Sequence, residues 1–174
     1  LVRKSLQSCS KRSEIMIQIG EIPNLDFSIK RASGGVLGQS LFSDLIDRPI
    51  VVSVFMRANT GSCDKQIVSL GVVQDDIEKR SVGLIGVSRD TAPALNRYGA
   101  KHEIAFPLVS DPKFQFAEAV DSMVEKKMYG KTFLGPTRSA YLFDRAGKLL
   151  DRIESVDPSR HGEEVLELLD KNGV

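Results

Sequence analysis

Tryptophan is absent from these 174 residues, and histidine and cysteine occur twice each. Two cysteines, Cys9 and Cys63, cannot supply the set of bridges that staples a small secreted domain, and no Cys-x-x-Cys pair exists. A dithiol oxidoreductase of the thioredoxin kind is therefore disfavoured. His102 and His161 stand alone, without the clustered ligands of a metal site, so neither a metal nor another cofactor is called for. Both histidines read as surface or helix-end residues. No apolar run approaches the roughly eighteen residues a membrane span requires. With 24 basic and 23 acidic residues the chain has a formal charge of +1, which gives no reason to invoke nucleic acid or an acidic membrane surface. What remains is a globular composition, 41% hydrophobic and 27% charged, on a chain long enough to bury a core without staples.

Residues 1–15, LVRKSLQSCSKRSEI, are serine-rich and basic, with Arg3, Lys4, Lys11 and Arg12 against Glu14 alone. They lack the apolar stretch of a secretory signal. The expectation is a disordered extension, a cloning remnant or the stub of a processed presequence, leaving residues 16–174 as one domain. A reducing cytoplasm is the default compartment. The basic extension leaves an organelle as the alternative.

Along that domain, LDFSIK and GVLGQSL flank the glycine turn RASGG as a hairpin. Ser43 is placed to cap a short turn of helix before Pro49. A buried strand over 50–56 leads into a helix ending near Arg80, inside which Gly71 implies a bend or close packing. VGLIGVS (82–88) is a second buried strand, followed by a helix that closes near Glu103. FPLVS (106–110) is a short strand, and Asp111-Pro112 opens another helix. Residues 122–137 read as a long polar loop. After it come a hairpin, SAYLFD and LLDRIES about the turn RAGK, and a last helix from near Asp157. Strands alternating with helices predict an α/β protein with a mainly parallel central sheet, an antiparallel edge and an N-terminal β-hairpin. In such sheets the reactive site lies beyond the carboxyl ends of the strands.

The stretch from Ile50 to Lys65 sits at such an end. IVVSVFM is rich in Val, Ile and Phe, as a buried strand requires, and the polar RANTGS breaks it. Ile67, Val68, Leu70, Val73 and Ile77 then recur at helical spacing, so a helix starts near Cys63. A cysteine in a helix's first turn meets unpaired N–H groups and a partial positive charge, which favour its thiolate. Such placement can bring a cysteine pKa to roughly 3.5–7.5. Thr60 can accept a bond from the helix and turn its hydroxyl toward the sulfur. Arg57 can add positive charge, and Asp64 opposes ionisation. An inert buried thiol is the alternative this stretch leaves open.

Residues 125–144, EKKMYGKTFLGPTRSAYLFD, resolve that choice. They closely resemble the loop and strand of Q-type peroxiredoxins, the bacterioferritin comigratory protein subfamily. IPNLDF (22–27) and FPLVSDP (106–112) agree in order with the same family, so the resemblance covers residues 16 to about 172. It implies a thioredoxin-like three-layer fold with a mixed sheet, and reduction of hydrogen peroxide and organic hydroperoxides by a cysteine thiolate. The family pattern P-x-x-x-T-x-x-C plus a distant arginine maps onto Thr60, Cys63 and Arg138, with Met56 in the proline position and Ser62 in the pocket. Many members carry a resolving cysteine five residues after the first; here that residue is Val68. The implied cycle uses one cysteine and an external thiol (thioredoxin, glutaredoxin or glutathione), in a monomer or weak homodimer. A redox-inactive or peroxide-sensing binding module is the alternative, supported only by Met56 and the missing second cysteine.

Overall fold

The computed structural model describes residues 17–174, so the readings of residues 1–15 and of Cys9 lie outside the described residues. The elements in order are β1 (Ser28–Ser33), β2 (Val36–Leu41), a 3-10 turn (Ser43–Leu45), β3 (Ile50–Val54), α1 (Gly61–Lys79), β4 (Gly83–Ser88), α2 (Ala92–Lys101), β5 (Leu108–Ser110), α3 (Gln115–Ala119), β6 (Met123–Met128), β7 (Lys131–Pro136), β8 (Ser139–Phe143), β9 (Leu149–Ile153) and α4 (His161–Lys171).

Seven strands form one sheet in the order β2-β1-β5-β4-β3-β8-β9. Only β5-β4-β3 run parallel, while β1 joins β5, and β8 joins β3, antiparallel. The sheet is mixed, and the mainly parallel expectation is corrected. The order of elements along the chain does not reveal that both hairpins dock antiparallel onto the flanks of the parallel trio. The centre is β3, whose five residues IVVSV are all buried. Alternate residues of β3 serve two cores. Val51 joins Phe55, Ile67, Leu70, Leu95, Leu142, Val165 and Leu169 under α1, α2 and α4. Ile50, Val52 and Val54 join Phe42, Phe116, Tyr141 and Phe143 on the other face, beneath α3 and the N-terminal segment. In that second core Phe42 stacks on Phe116 at 4.9 Å, and Phe116 meets Tyr141 edge-on at 5.6 Å. Such pairs add about 0.5–1.5 kcal/mol each beyond burial. Three layers result, as the resemblance implies.

Two local expectations change. Ser43 lies inside its 3-10 turn rather than capping it; Phe42 takes the cap position and no side chain caps. Residues 123–136 are not a loop but a separate two-stranded sheet, β6 paired with β7 about Tyr129-Gly130. Both turn residues have positive φ, 52° and 74°, as a tight hairpin turn matched to strand twist requires. For Gly71, close packing is the correct branch: a Cβ there would lie 3.3 Å from Ile104 Cδ1. Asp111 does open α3, its two carboxylate oxygens accepting from the N–H groups of Gln115 and Phe116 at 2.8 and 2.9 Å.

Candidate active site

Beyond Val54 the chain leaves the sheet under restraint. Phe55 N–H donates to the Val87 carbonyl at 3.0 Å, and Ala58 N–H donates to the Asp90 carboxylate at 2.8 Å. Asn59 (φ 58°) then turns the chain, Thr60 is extended, and Asp64 N–H donates to the Thr60 carbonyl as the first helical bond. Cys63 is therefore the third residue of α1, among the N–H groups that no turn of helix satisfies. It is 1% exposed and is the free cysteine of the described residues.

Arg138 reaches this sulfur across 75 residues of sequence, with Nη2 3.5 Å from Sγ. Their meeting follows from pairing. In the β3–β8 ladder Val54 lies opposite Ser139, so the residue before β8 stands where β3 delivers the chain to α1.

The other residues singled out in the sequence are placed less directly. The Thr60 hydroxyl donates to the Arg57 carbonyl at 2.9 Å and does not cap the helix, so the expected bond from the helix is not made. The Arg57 side chain is exposed, and Ser62 is exposed in the first turn. Asp64 accepts a hydrogen bond from the Tyr98 hydroxyl at 2.8 Å. Burial, then that bond, pushes the Tyr98 pKa well above the usual phenol range. Met56 is half-buried against the α1-side core, and its Sδ accepts from Lys126 Nζ at 3.0 Å.

Lys126, from β6, was missed because its segment read as loop, although it stands in the EKK run that carried the resemblance. Burial lowers its pKa and Arg138 pushes the same way, while Cys63 opposes them.

A second group went unrecognised behind the thiol. His161, expected at the surface or at a helix end, begins α4 and is fully buried. Its Nε2 lies 2.9 Å from Ser53 Oγ and its Nδ1 3.3 Å from Glu164 Oε2. Gln66, one turn after Cys63, donates from Nε2 to Ser53 Oγ and to the Val54 carbonyl at 3.0 and 3.1 Å. A carboxylate only accepts, so the imidazole carries its proton on Nδ1, and the Ser53 hydroxyl donates to Nε2. Burial, aided by Arg138, holds the His161 pKa down at about 4, so the ring is neutral at neutral pH. The signal was a serine within IVVSV and a glutamine on the apolar side of α1.

A thiol within 3.5 Å of an arginine, at a helix start beyond a central strand, is an arrangement that can hold a nucleophile for attack on a small electrophile. Residues 22–152 match the AhpC/TSA family, and the chain belongs to it. Peroxiredoxin Bcp of Xanthomonas campestris pv. campestris is 31% identical over 120 residues, covering 69% of this chain and 75% of that one. Peroxiredoxin Bcp of Escherichia coli K12 is 30% identical over 127 residues, with 73% and 81% covered. A solved structure of Xanthomonas campestris bacterioferritin comigratory protein, studied for its alkyl peroxide reduction activity, superposes with a TM-score of 0.79 at 26% identity, covering 88% of this chain and 98% of that one. The chain is a peroxiredoxin-type thiol peroxidase, whose substrate is a peroxide and whose partner is a thiol reductant. No helix among the described residues is long and apolar enough to cross a membrane.

Proposed function

We propose that residues 16–174 act as one peroxiredoxin domain in which Cys63 is the attacking thiolate, working with Arg138 and Thr60 in a pocket bounded by Met56 and Ser62. The observation that carries this reading is the 3.5 Å approach of Arg138 Nη2 to Cys63 Sγ at the start of α1. Sulfur attacks one peroxide oxygen as negative charge develops on the other. Arg138 and the free N–H groups of the helix start stabilise both the thiolate and that departing oxygen. The Thr60 proton is engaged by Arg57, so its oxygen lone pairs are left to accept the peroxide O–H and align it for in-line displacement. The substrates are hydrogen peroxide and organic hydroperoxides, alkyl peroxides included, as the work on the Xanthomonas relative suggests.

The product is a sulfenic acid on Cys63. Val68 occupies the second-cysteine position on α1, so the cycle closes through an outside thiol: thioredoxin, glutaredoxin or glutathione. The protein works as a monomer or weak homodimer in a reducing cytoplasm. The organelle alternative rests on residues outside the described ones, and the relatives named above are bacterial.

Stopped-flow oxidation of the reduced protein, with dimedone trapping at Cys63, tests the assignment. Cys63→Ser abolishes peroxide consumption, since a serine hydroxyl is not ionised at neutral pH. Arg138→Ala keeps the fold and slows Cys63 oxidation by about 3 kcal/mol of barrier, on the order of a hundredfold. Thr60→Val slows it less. Peroxidase activity that survives Cys63→Ser unchanged would sink the reading.

A further inference from the structure

Lys126 is a half-buried cation that forms no ion pair with a carboxylate among the described residues. Its hydrogen bond runs to the Met56 thioether, a weak acceptor. Withdrawing a charge from water without a partner costs free energy, so this position needs a compensating reason. Arg138, of like sign, opposes its charge, and Cys63, a thiolate in the peroxidase reading, favours it. The hairpin carries it to Met56, which packs against the core cluster that holds Cys63. Lys126 faces Phe133 across the β6–β7 ladder, and its stem runs past Gly135, where a Cβ would lie 3.5 Å from Lys126 Cδ.

The other donors around the thiol are not free to release a proton. The Arg138 guanidinium supplies charge and a fork of hydrogen-bond donors rather than a proton. The Thr60 proton is held by the Arg57 carbonyl, and the Tyr98 proton by Asp64, with its release made harder still by burial. His161 is engaged by Ser53 on one nitrogen and Glu164 on the other. Of the groups compared, Lys126 combines a transferable proton with an expendable acceptor.

Resting on the peroxidase reading of Cys63, we propose that Lys126 is a further catalytic residue, the proton donor to the oxygen that leaves when Cys63 cleaves the peroxide bond. The Cys63 thiolate forms a bond to the terminal oxygen of ROOH as the O–O bond breaks, and the electron pair departs on RO⁻. The Lys126 ammonium turns from Met56 Sδ to that far stronger acceptor and gives up one proton. The products are ROH, neutral Lys126 and Cys63–SOH, whose hydroxyl keeps the proton it brought. Water returns a proton to Lys126 before the next turn. Its pKa, lowered from the ordinary lysine value, brings the donor nearer the pH at which it works.

Single-turnover oxidation of the full chain, followed across pH with hydrogen peroxide, tert-butyl hydroperoxide and cumene hydroperoxide, tests the assignment. Lys126→Met should slow oxidation on the order of 10²-fold at neutral pH, most for the most basic leaving oxygen. It should also lack the fall in rate that the parent shows as Lys126 loses its proton at high pH. Lys126→Arg separates proton from charge. It should restore iodoacetamide alkylation of Cys63 to the parent rate without restoring the peroxide rate. Circular dichroism confirms that each variant is folded. Parental oxidation rates in Lys126→Met, or in Lys126→Arg, overturn the donor role. A parent protein that does not form dimedone-trappable Cys63 defeats the peroxidase reading and this inference with it, whereas a reactive parent matched by Lys126→Met defeats this inference alone.

Discussion

Every residue of β3 is buried and the strand is laddered on both sides, to β4 and to β8, whereas Lys131 to Leu134 of β7 are all exposed and β7 pairs only with β6. Both regions deliver a cation or a nucleophile to the same site. The central strand fixes the positions of Cys63 and Arg138 through backbone bonds inside a core that resists displacement. The hairpin has no core of its own, and two strands alone are marginal in water. It is held over the site by its attachments at either end and by Lys126 on Met56. Rigid placement thus belongs to the thiol and the guanidinium, and the more easily opened element carries Lys126.

Matched truncations break this comparison most sharply. Phe143 is fully buried beside Phe116 and Tyr141, and Phe143→Ala is expected to cost about 3–5 kcal/mol. Phe133 is 37% exposed on the hairpin, and Phe133→Ala should cost below about 1 kcal/mol. Urea unfolding of the two variants reads both values. Equal losses would mean that the hairpin is as much a part of the cooperative core as β8.

A second prediction concerns pH and again belongs to the central strand, through Ser53. The folded His161 pKa of about 4 lies below the roughly 6.5 of an unfolded histidine, so between those values the unfolded chain binds the extra proton. Stability is full above about pH 6.5 and declines by about 3 kcal/mol as pH falls toward 4. Arg138 opposes the new charge, while Glu164 and Asp157 beyond it are the neighbouring acids. Chemical denaturation at pH 7, 5.5 and 4.5 checks this. His161→Gln should be less stable at pH 7 and flatter through that range, and an unchanged slope would remove His161 as the cause.

The smallest effect is local. Gly130 has φ +74°, so an alanine there costs about 1 kcal/mol in the hairpin turn. Hydrogen exchange should quicken across β6 and β7 in Gly130→Ala while β3 and β8 keep parental protection. Quickening in β3 as well would show that the two regions open together.

The same contrast explains what was legible in the sequence. β3, β4 and β8 are runs of buried apolar residues, and Cys63 and Arg138 are carried by motifs, so these were read directly. The hairpin was not. Val124, Lys126 and Met128 share one side of β6, and Glu125 and Lys127 the other, so no apolar face marks a strand. Its twist-matched turn is Tyr-Gly rather than the Asn-Gly that advertises a hairpin. The proportion of parallel pairing depended on long-range docking of β1 and β8, which no local pattern records. The burial of His161 was not legible because Ser53, which meets its Nε2, lies 108 positions away (161−53).

Because Val54 faces Ser139, the spacing between thiol and guanidinium is set in units of the ladder. A one-residue slip of β8 would carry Arg138 about 3.4 Å along the strand and present it to the opposite face. Residues added at the Tyr129-Gly130 tip leave that register untouched, and leave Lys126 opposite Phe133 as well. A single residue added between Met123 and Lys126 turns only the lysine away. The architecture therefore separates two dials: the reach and chemistry of the overhanging arm can be altered by insertion, while the distance at which sulfur meets its cation keeps time with the sheet.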